Sequence, residues 1–277
     1  MVNCLSYLVA INPNAPDQPA LGRAAALAVE SGASLIAFSC CYLSRKEMLH
    51  FNSRQDAKHE SRCELEQRLR HHVAKLGLTA DVNYEAAWND DVLTAACQRA
   101  LQPDVCMMFL DRAYQEDLPR WLESTPCPLY LVAGEALSPE DPILAAIDPR
   151  RDDELHDGLN HNVLATASNL AEDMHRELSL VCALDEQESI ATHLGFDYLS
   201  ELTAEQSAIA QRFAIDPSRV HLQIGRPCTV IYQRAQQLEA AVLVMGKSRD
   251  KSLYSTLVGC KVERLMEHYK GDLLVAT

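Results

Sequence analysis

The stretch Ala240–Thr277, AAVLVMGKSRDKSLYSTLVGCKVERLMEHYKGDLLVAT, decides how the chain is read. Its aliphatic run up to Met245 predicts a buried strand, followed by a polar loop bounded by Gly246 and Gly259. A helix opening at Gly259 and a second buried strand at the end of the stretch complete the pattern. A glycine at a strand's end and another at a helix start are the parts of a phosphate cradle, because exposed backbone N–H groups attract an anion there. The loop also holds Lys247, Arg249 and Lys251 against Asp250 alone, with hydroxyls from Ser248 and Ser252. In a chain of net charge −14 this is a local positive excess that suits a phosphate. In the competing reading Arg249 folds into the phosphate space and pairs with an acid such as Asp148.

Working outward, the same strand pattern occurs twice. Leu144–Arg150, LAAIDPR, echoes Leu8–Asn14, LVAINPN, at an offset of 136 residues. At that offset Asp104–Phe109 lies opposite Ala240–Met245. Apolar runs at Leu35–Cys41, Val82–Ala87 and Pro128–Val132 alternate with helical patterns that Asp17, Asp90 or Asp91 would cap, and Gly32 and Gly77 would end. Strands alternating with helices predict an α/β fold of βαβ units, with a mainly parallel, doubly wound sheet and helices on both faces. An internal repeat of this size predicts two domains, 1–134 and 142–277, joined through a segment around Ala133–Pro142 that carries glycine, proline and glutamate. After the fourth strand the first half has no glycine between Asp111 and Cys127, so it lacks the parts for a backbone cradle.

Composition narrows the function. Hydrophobic residues make up 48% of the 277 but aromatics only 6%, which fits helices packed on an aliphatic sheet rather than a base-stacking platform. The acidic balance opposes nucleic-acid binding. No apolar run reaches the ~18–20 residues of a membrane helix, and no signal peptide is apparent. The ten cysteines form no C-x-x-C pair and no zinc spacing; several sit in apolar runs, so they read as buried reduced thiols of a cytoplasmic protein.

On these residues the chain resembles the universal stress protein family, and within it the tandem E type with two such domains in one polypeptide. The carriers are Val9–Leu21, VAINPNAPDQPAL; Ala87–Asp90, AWND; Cys127–Val132, CPLYLV; and Ala241–Ala276. The resemblance implies two Rossmann-like or flavodoxin-like domains, each with five mostly parallel strands, and a stress-linked cytoplasmic role. It also implies a phosphate loop of glycine, two residues, glycine, nine residues, glycine and a hydroxyl residue, with an aspartate after the first strand. Gly246 and Gly259 match the outer glycines and Asp148 the aspartate, while Arg249 replaces the middle glycine and Cys260 the hydroxyl residue. In the first half Asn12 replaces the aspartate and Leu110 the first glycine. The candidate cofactor residues are therefore Asp148, Gly246, Lys247, Ser248, Arg249, Gly259 and Cys260, with ATP a candidate for the second domain only.

Other candidates are weaker in chemistry. Asp185–Glu201, DEQESIATHLGFDYLSE, either packs onto its own domain or covers a cleft for an apolar ligand; Tyr42–Phe51 is its counterpart. His71–His72 reads as a surface pair, and Cys40–Cys41 as residues on opposite faces of a strand. No G-x-S-x-G elbow and no Walker lysine occur, and the turns NPNAP and DPRRD offer no glycines, so no catalytic residue is assigned. The chain reads as a non-catalytic protein that acts by binding a small ligand or a protein partner. Fusion of two domains lets them pair internally, so a homodimer is not required.

Overall fold

Short aliphatic runs set the frame, because strands covered on both faces need apolar residues at successive positions rather than alternate ones. The computed structural model describes residues 6–78, 81–112, 118–134, 137–149, 154–184, 198–247, 256–257, 260–261 and 269–277. The chain divides into two units, Met1–Gly134 and Glu135–Thr277. Of the segment expected as a linker, Ser138–Asp141 is tied to the second unit: Arg176 Nη1 donates to the carbonyls of Ser138 and Asp141.

In unit 1 the strands are β1 (Ser6–Ala10), β2 (Ser34–Cys41), β3 (Val82–Trp88), β4 (Val105–Asp111) and β5 (Leu129–Val132), in the spatial order β3-β2-β1-β4-β5. Their ladders are all parallel. Between them run α1 (Pro19–Ser31), α2 (Arg54–Lys75), α3 (Val92–Ala100) and α4 (Leu118–Ser124). Since the chain moves from β1 to β3 one way and returns to β4 and β5 the other, right-handed crossovers put α1 and α2 on one face and α3 and α4 on the other. Leu21, Ala24, Ala25 and Ala28 of α1 are buried, as their spacing requires, and the helix ends at Gly32 in the left-handed conformation. Its start differs from expectation. Gln18, not Asp17, is the N-cap residue and Pro19 opens the helix, because a proline's fixed φ suits the first helical position.

Ser53 caps α2 by accepting from Asp56 N, and Asp91 caps α3 by accepting from Leu93 N. The α3 end is fastened by Arg99, whose guanidinium donates to both oxygens of Glu85 on β3 and both of Asp104 just before β4. Those bonds hold the Asp104 carboxyl below the ordinary aspartate range, and the Thr94 hydroxyl with Arg120 does the same for Asp91. A depressed carboxylate pKa contributes stability that is full above the unfolded value, about 3.9, and is lost as pH falls through the folded one. Urea denaturation should therefore show stability falling as the pH drops below about 4. Arg99→Leu should flatten part of that fall; an unchanged slope would refute the assignment.

Unit 2 repeats the plan with β6 (Ile143–Ala146), β7 (Leu178–Leu184), β8 (Val220–Ile224), β9 (Val242–Gly246) and β12 (Asp272–Ala276), in the order β8-β7-β6-β9-β12 and again parallel. Among the described residues its helices are α5 (Glu154–Asp173), α6 (Tyr198–Phe213) and α7 (Pro227–Gln237). A further pair, β10 (Thr256–Leu257) and β11 (Cys260–Lys261), forms a small antiparallel ladder of its own. Each unit is thus an α/β doubly wound domain whose central strands are wholly buried.

Two expectations change here. The helix expected to open at Gly259 does not begin there: Cys260 and Lys261 pair as strand with Leu257 and Thr256. A β-branched Thr256 opposite Lys261 suits a ladder, and no Asp, Asn, Ser or Thr stands at Gly259 to cap a helix. Second, the cysteines are not all thiols. Cys106 and Cys228 are disulfide-bonded, whereas Cys40, Cys41, Cys63 and Cys127 are free thiols. Sequence spacing does not reveal partners that topology brings together.

Candidate functional site

In a doubly wound sheet the ligand crevice lies beyond the strand C-termini where the strand order reverses. That point falls between β6 and β9 in unit 2 and between β1 and β4 in unit 1. In unit 2 the residues there are Asp148, just past β6, and Gly246–Lys247 at the end of β9. Asp148 is half-buried, and its backbone is clamped from α5. Its N–H donates to Asn160 Oδ1 at 3.0 Å, and Asn160 Nδ2 donates back to its carbonyl at 2.7 Å. Asn160 is buried, so its amide replaces water for a loop peptide that leaves the sheet. Arg212 of α6 reaches the same loop, donating to Pro149 O at 3.5 Å and to Asp157 Oδ1 on α5 at 2.8 Å.

Gly246 has a reason of its own to lack a side chain. A Cβ placed there would stand 2.6 Å from both Cγ and Cδ1 of Leu159 on α5. Contacts that short force a shift, and Cγ is not the free end of a side chain. The retained first glycine is accounted for by close packing of α5 on β9. It does not by itself indicate a phosphate. Lys247 N donates to Ala276 O at 2.9 Å, which prolongs the β9–β12 ladder by one residue. Of the remaining candidates, Ser248, Arg249 and Gly259 lie outside the described residues. Cys260 is placed as backbone in β11, and β11 lies against α7. Gly246 packs against α5 and Cys260 lies in β11 rather than opening a helix, while most of the loop between them lies outside the described residues.

Unit 1 shows what fills the equivalent point. Asp111, the last residue of β4, is buried, and its Oδ1 accepts from Ala20 N at 2.6 Å. Ala20 is in the first turn of α1, where unpaired N–H groups and the helix dipole favour a negative charge. Gln18 Nε2 donates to the carbonyls of Asn12 at 2.7 Å and Ala15 at 3.2 Å, closing the loop after β1. The N-terminus of α1 is thus held by the protein's own carboxylate. At the repeat offset Asp111 aligns with Lys247, so the two units carry opposite charges at one backbone position. Asp111, Leu159 and Asn160 were not singled out from the sequence. An acid ending a strand just where the loop is short was the available signal for Asp111.

The other candidates settle into structural places or lie outside view. His72 Nε2 donates to Pro13 O at 3.1 Å, which fixes that ring to the β1 loop. Burial pushes the Cys40 thiol up to about 11, and the Cys41 thiol is raised for the same reason, so neither is a ready nucleophile at neutral pH. Tyr42–Phe51 contains a short 3-10 turn, Glu47–His50, with Leu49 82% exposed, so this segment is not core cover. Most of its counterpart, 185–197, lies outside the described residues.

A family model described as "Universal stress protein family" matches residues 141–277, which is the second unit with its loop. Residues 141–277 belong to the universal stress protein family. Similarity to curated members extends over both units: Universal stress protein E of Escherichia coli K12 is 28% identical, over 98% of this chain and 93% of that protein. Universal stress protein E of Photorhabdus laumondii is 22% identical over 99% of this chain and 95% of the relative. Among solved structures, a universal stress protein from Archaeoglobus fulgidus superposes with a TM-score of 0.64 at 14% identity, covering 100% and 97% of the two chains. A Pseudomonas aeruginosa PAO1 protein described as functionally unknown reaches 0.72 at 20% identity, covering 99% and 93%. These structural likenesses carry the fold, a Rossmann-like universal stress protein architecture.

Among the described residues, no helix is long and apolar enough to cross a membrane.

Proposed function

We propose that this universal stress protein is a non-catalytic, cytoplasmic tandem member that acts by binding a partner or ligand, with its ATP loop no longer a working cradle. The observation that carries the reading is Leu159 against Gly246: a side chain of α5 packs on that glycine, so its missing side chain has a packing reason that needs no ligand. Arg249 and Cys260, in place of glycine and a hydroxyl residue, remove two further requirements of the family pattern. Unit 1 is set further from nucleotide binding by Asp111 at the start of α1.

A second reading is favoured by Lys247, which gives unit 2 a positive residue where unit 1 has an acid. On that reading unit 2 binds ATP or another small anion. Thermal unfolding with and without ATP–magnesium separates the two. A ligand at 100 times its Kd stabilises by about 2.7 kcal/mol, a shift of several degrees in Tm. The expected result is no shift for the parent and a shift for the double variant Arg249→Gly, Cys260→Ser. A shift in the parent would overturn the first reading. Native mass spectrometry of gently purified protein tests for any other small ligand, and affinity for a macromolecular partner is then the remaining mode of action.

A further inference from the structure

Unit 1 fastens the end of α3 through Arg99, which is held by two acids, Glu85 on β3 and Asp104 before β4. At the repeat offset of 136 residues Glu85 aligns with His221 on β8, and Asp104 with Ala240. Neither acid therefore recurs in unit 2. The matching helix nevertheless keeps an arginine, Arg234 on α7, one residue before the position that aligns with Arg99. Its Nε is buried, and no group among the described residues accepts from it. Two other arginines of the unit are paired, Arg212 with Asp157 and Arg219 with Glu177. A buried donor without an acceptor is rare enough to call for one.

The surroundings of Arg234 suit an anion. His221 and Gln223 stand two apart on β8, so they share one face of the strand. That face lies towards α7, because Gln223 Nε2 donates to Gln233 Oε1 at 3.3 Å. Val181 and Ala183 of β7 stand beside them in register and give the face an apolar floor. Right-handed crossovers put α5 and α6 on the opposite face. His221, Gln223 and Arg234 are all half-buried. Burial, and then the Arg234 charge, hold the His221 imidazole below the ordinary histidine pKa. Of the other charged groups around β8, Arg219 and Glu177 pair with each other, Asp216 accepts from Ser218, and Arg226 is exposed at the head of α7. We propose that His221, Gln223 and Arg234 form a binding site for the carboxylate of a small acid, in the place where unit 1 supplies Glu85 and Asp104 itself. The guanidinium presents a planar fork of donors that fits both carboxylate oxygens. An imidazolium adds a further donor, and Gln223 has a second amide hydrogen to give. His221 is the second residue of β8 and Arg234 lies in the last turn of α7, so the site is at the opposite end of the sheet from Asp148 and Gly246. It stands or falls apart from the proposed function.

An anion beside the ring offsets the Arg234 charge and favours the imidazolium, so binding takes up a proton and strengthens as the pH falls. The test is an NMR titration of the full-length protein, labelled in its backbone amides and histidine rings, with acetate at neutral pH and sodium chloride as the ionic-strength control. Saturable shifts are expected for the His221 ring and for the amides of β8 and α7. Affinity should rise severalfold from about pH 8 to about pH 6, a range in which a carboxylate stays ionised and a histidine does not stay neutral. Arg234→Gln should weaken binding by roughly tenfold, the worth of one hydrogen bond to a charged group. His221→Glu, which restores the acid of unit 1, should abolish it. Shifts that grow linearly, or that chloride reproduces, would mean an adventitious ion only and would overturn the proposal. Undiminished acetate affinity in Arg234→Gln would do the same. Inorganic phosphate is titrated in parallel, and tighter binding of phosphate than of acetate would overturn the assignment to a carboxylate.

Discussion

Gly246→Ala should destabilise the protein, and Leu159→Ala should rescue it. The new Cβ meets Leu159 Cγ at 2.6 Å, so either α5 moves or the leucine leaves its rotamer. Overpacking of this kind costs about 1–3 kcal/mol. An alanine also stiffens the unfolded chain, which returns about 0.4–1 kcal/mol. The first effect wins, and a net loss is expected. Urea denaturation followed by far-UV circular dichroism measures it. In the double variant the removed leucine makes room, so the two changes should couple by about 1 kcal/mol or more. A neutral Gly246→Ala, or strictly additive changes, would show that the glycine is not kept for packing. That outcome would revive a ligand as its reason.

Asp111→Ala should cost more. The substitution leaves the buried Ala20 N–H without the acceptor at 2.6 Å, a loss of about 1–3 kcal/mol. It also removes a charge from the N-terminus of α1, worth up to about 2 kcal/mol when partly buried. A total of about 2–4 kcal/mol is expected, much of the stability of a small domain. Asp111→Asn keeps an acceptor and loses only the charge, so it should fall between parent and alanine variant. Both tryptophans, Trp88 and Trp121, belong to unit 1, and their fluorescence therefore follows the unit in which Asp111 sits. Variants indistinguishable from the parent by that probe would refute the cap.

The fold was legible because its carriers are local. Aliphatic runs such as Leu8–Ile11 and Val242–Met245 must be central strands, and the repeat at Leu144 announced the second unit. The family match to 141–277 agrees with the resemblance read from the loop. What could not be read were meanings set across space. Gly246 has the same letter whether it faces a phosphate or Leu159, and only the packing of α5 tells which. Asp111 was hidden because its partner is a backbone N–H, which carries no signature in the side-chain sequence. The misplaced helix at Gly259 has a similar origin, since a glycine before a short segment suits a hairpin turn as well as a helix start.

The Asp111–Ala20 bond has one more consequence, for competition. A carboxylate anchored on β4 confronts the α1 N-terminus at an effective concentration set by the fold, millimolar or higher for even a flexible tether. A free phosphate reaching unit 1 would compete with a ligand that never diffuses away, and would then have to leave the displaced acid buried without its donor. At this backbone position the repeat thus has two forms, one in which Asp111 holds the α1 N-terminus and one with Lys247.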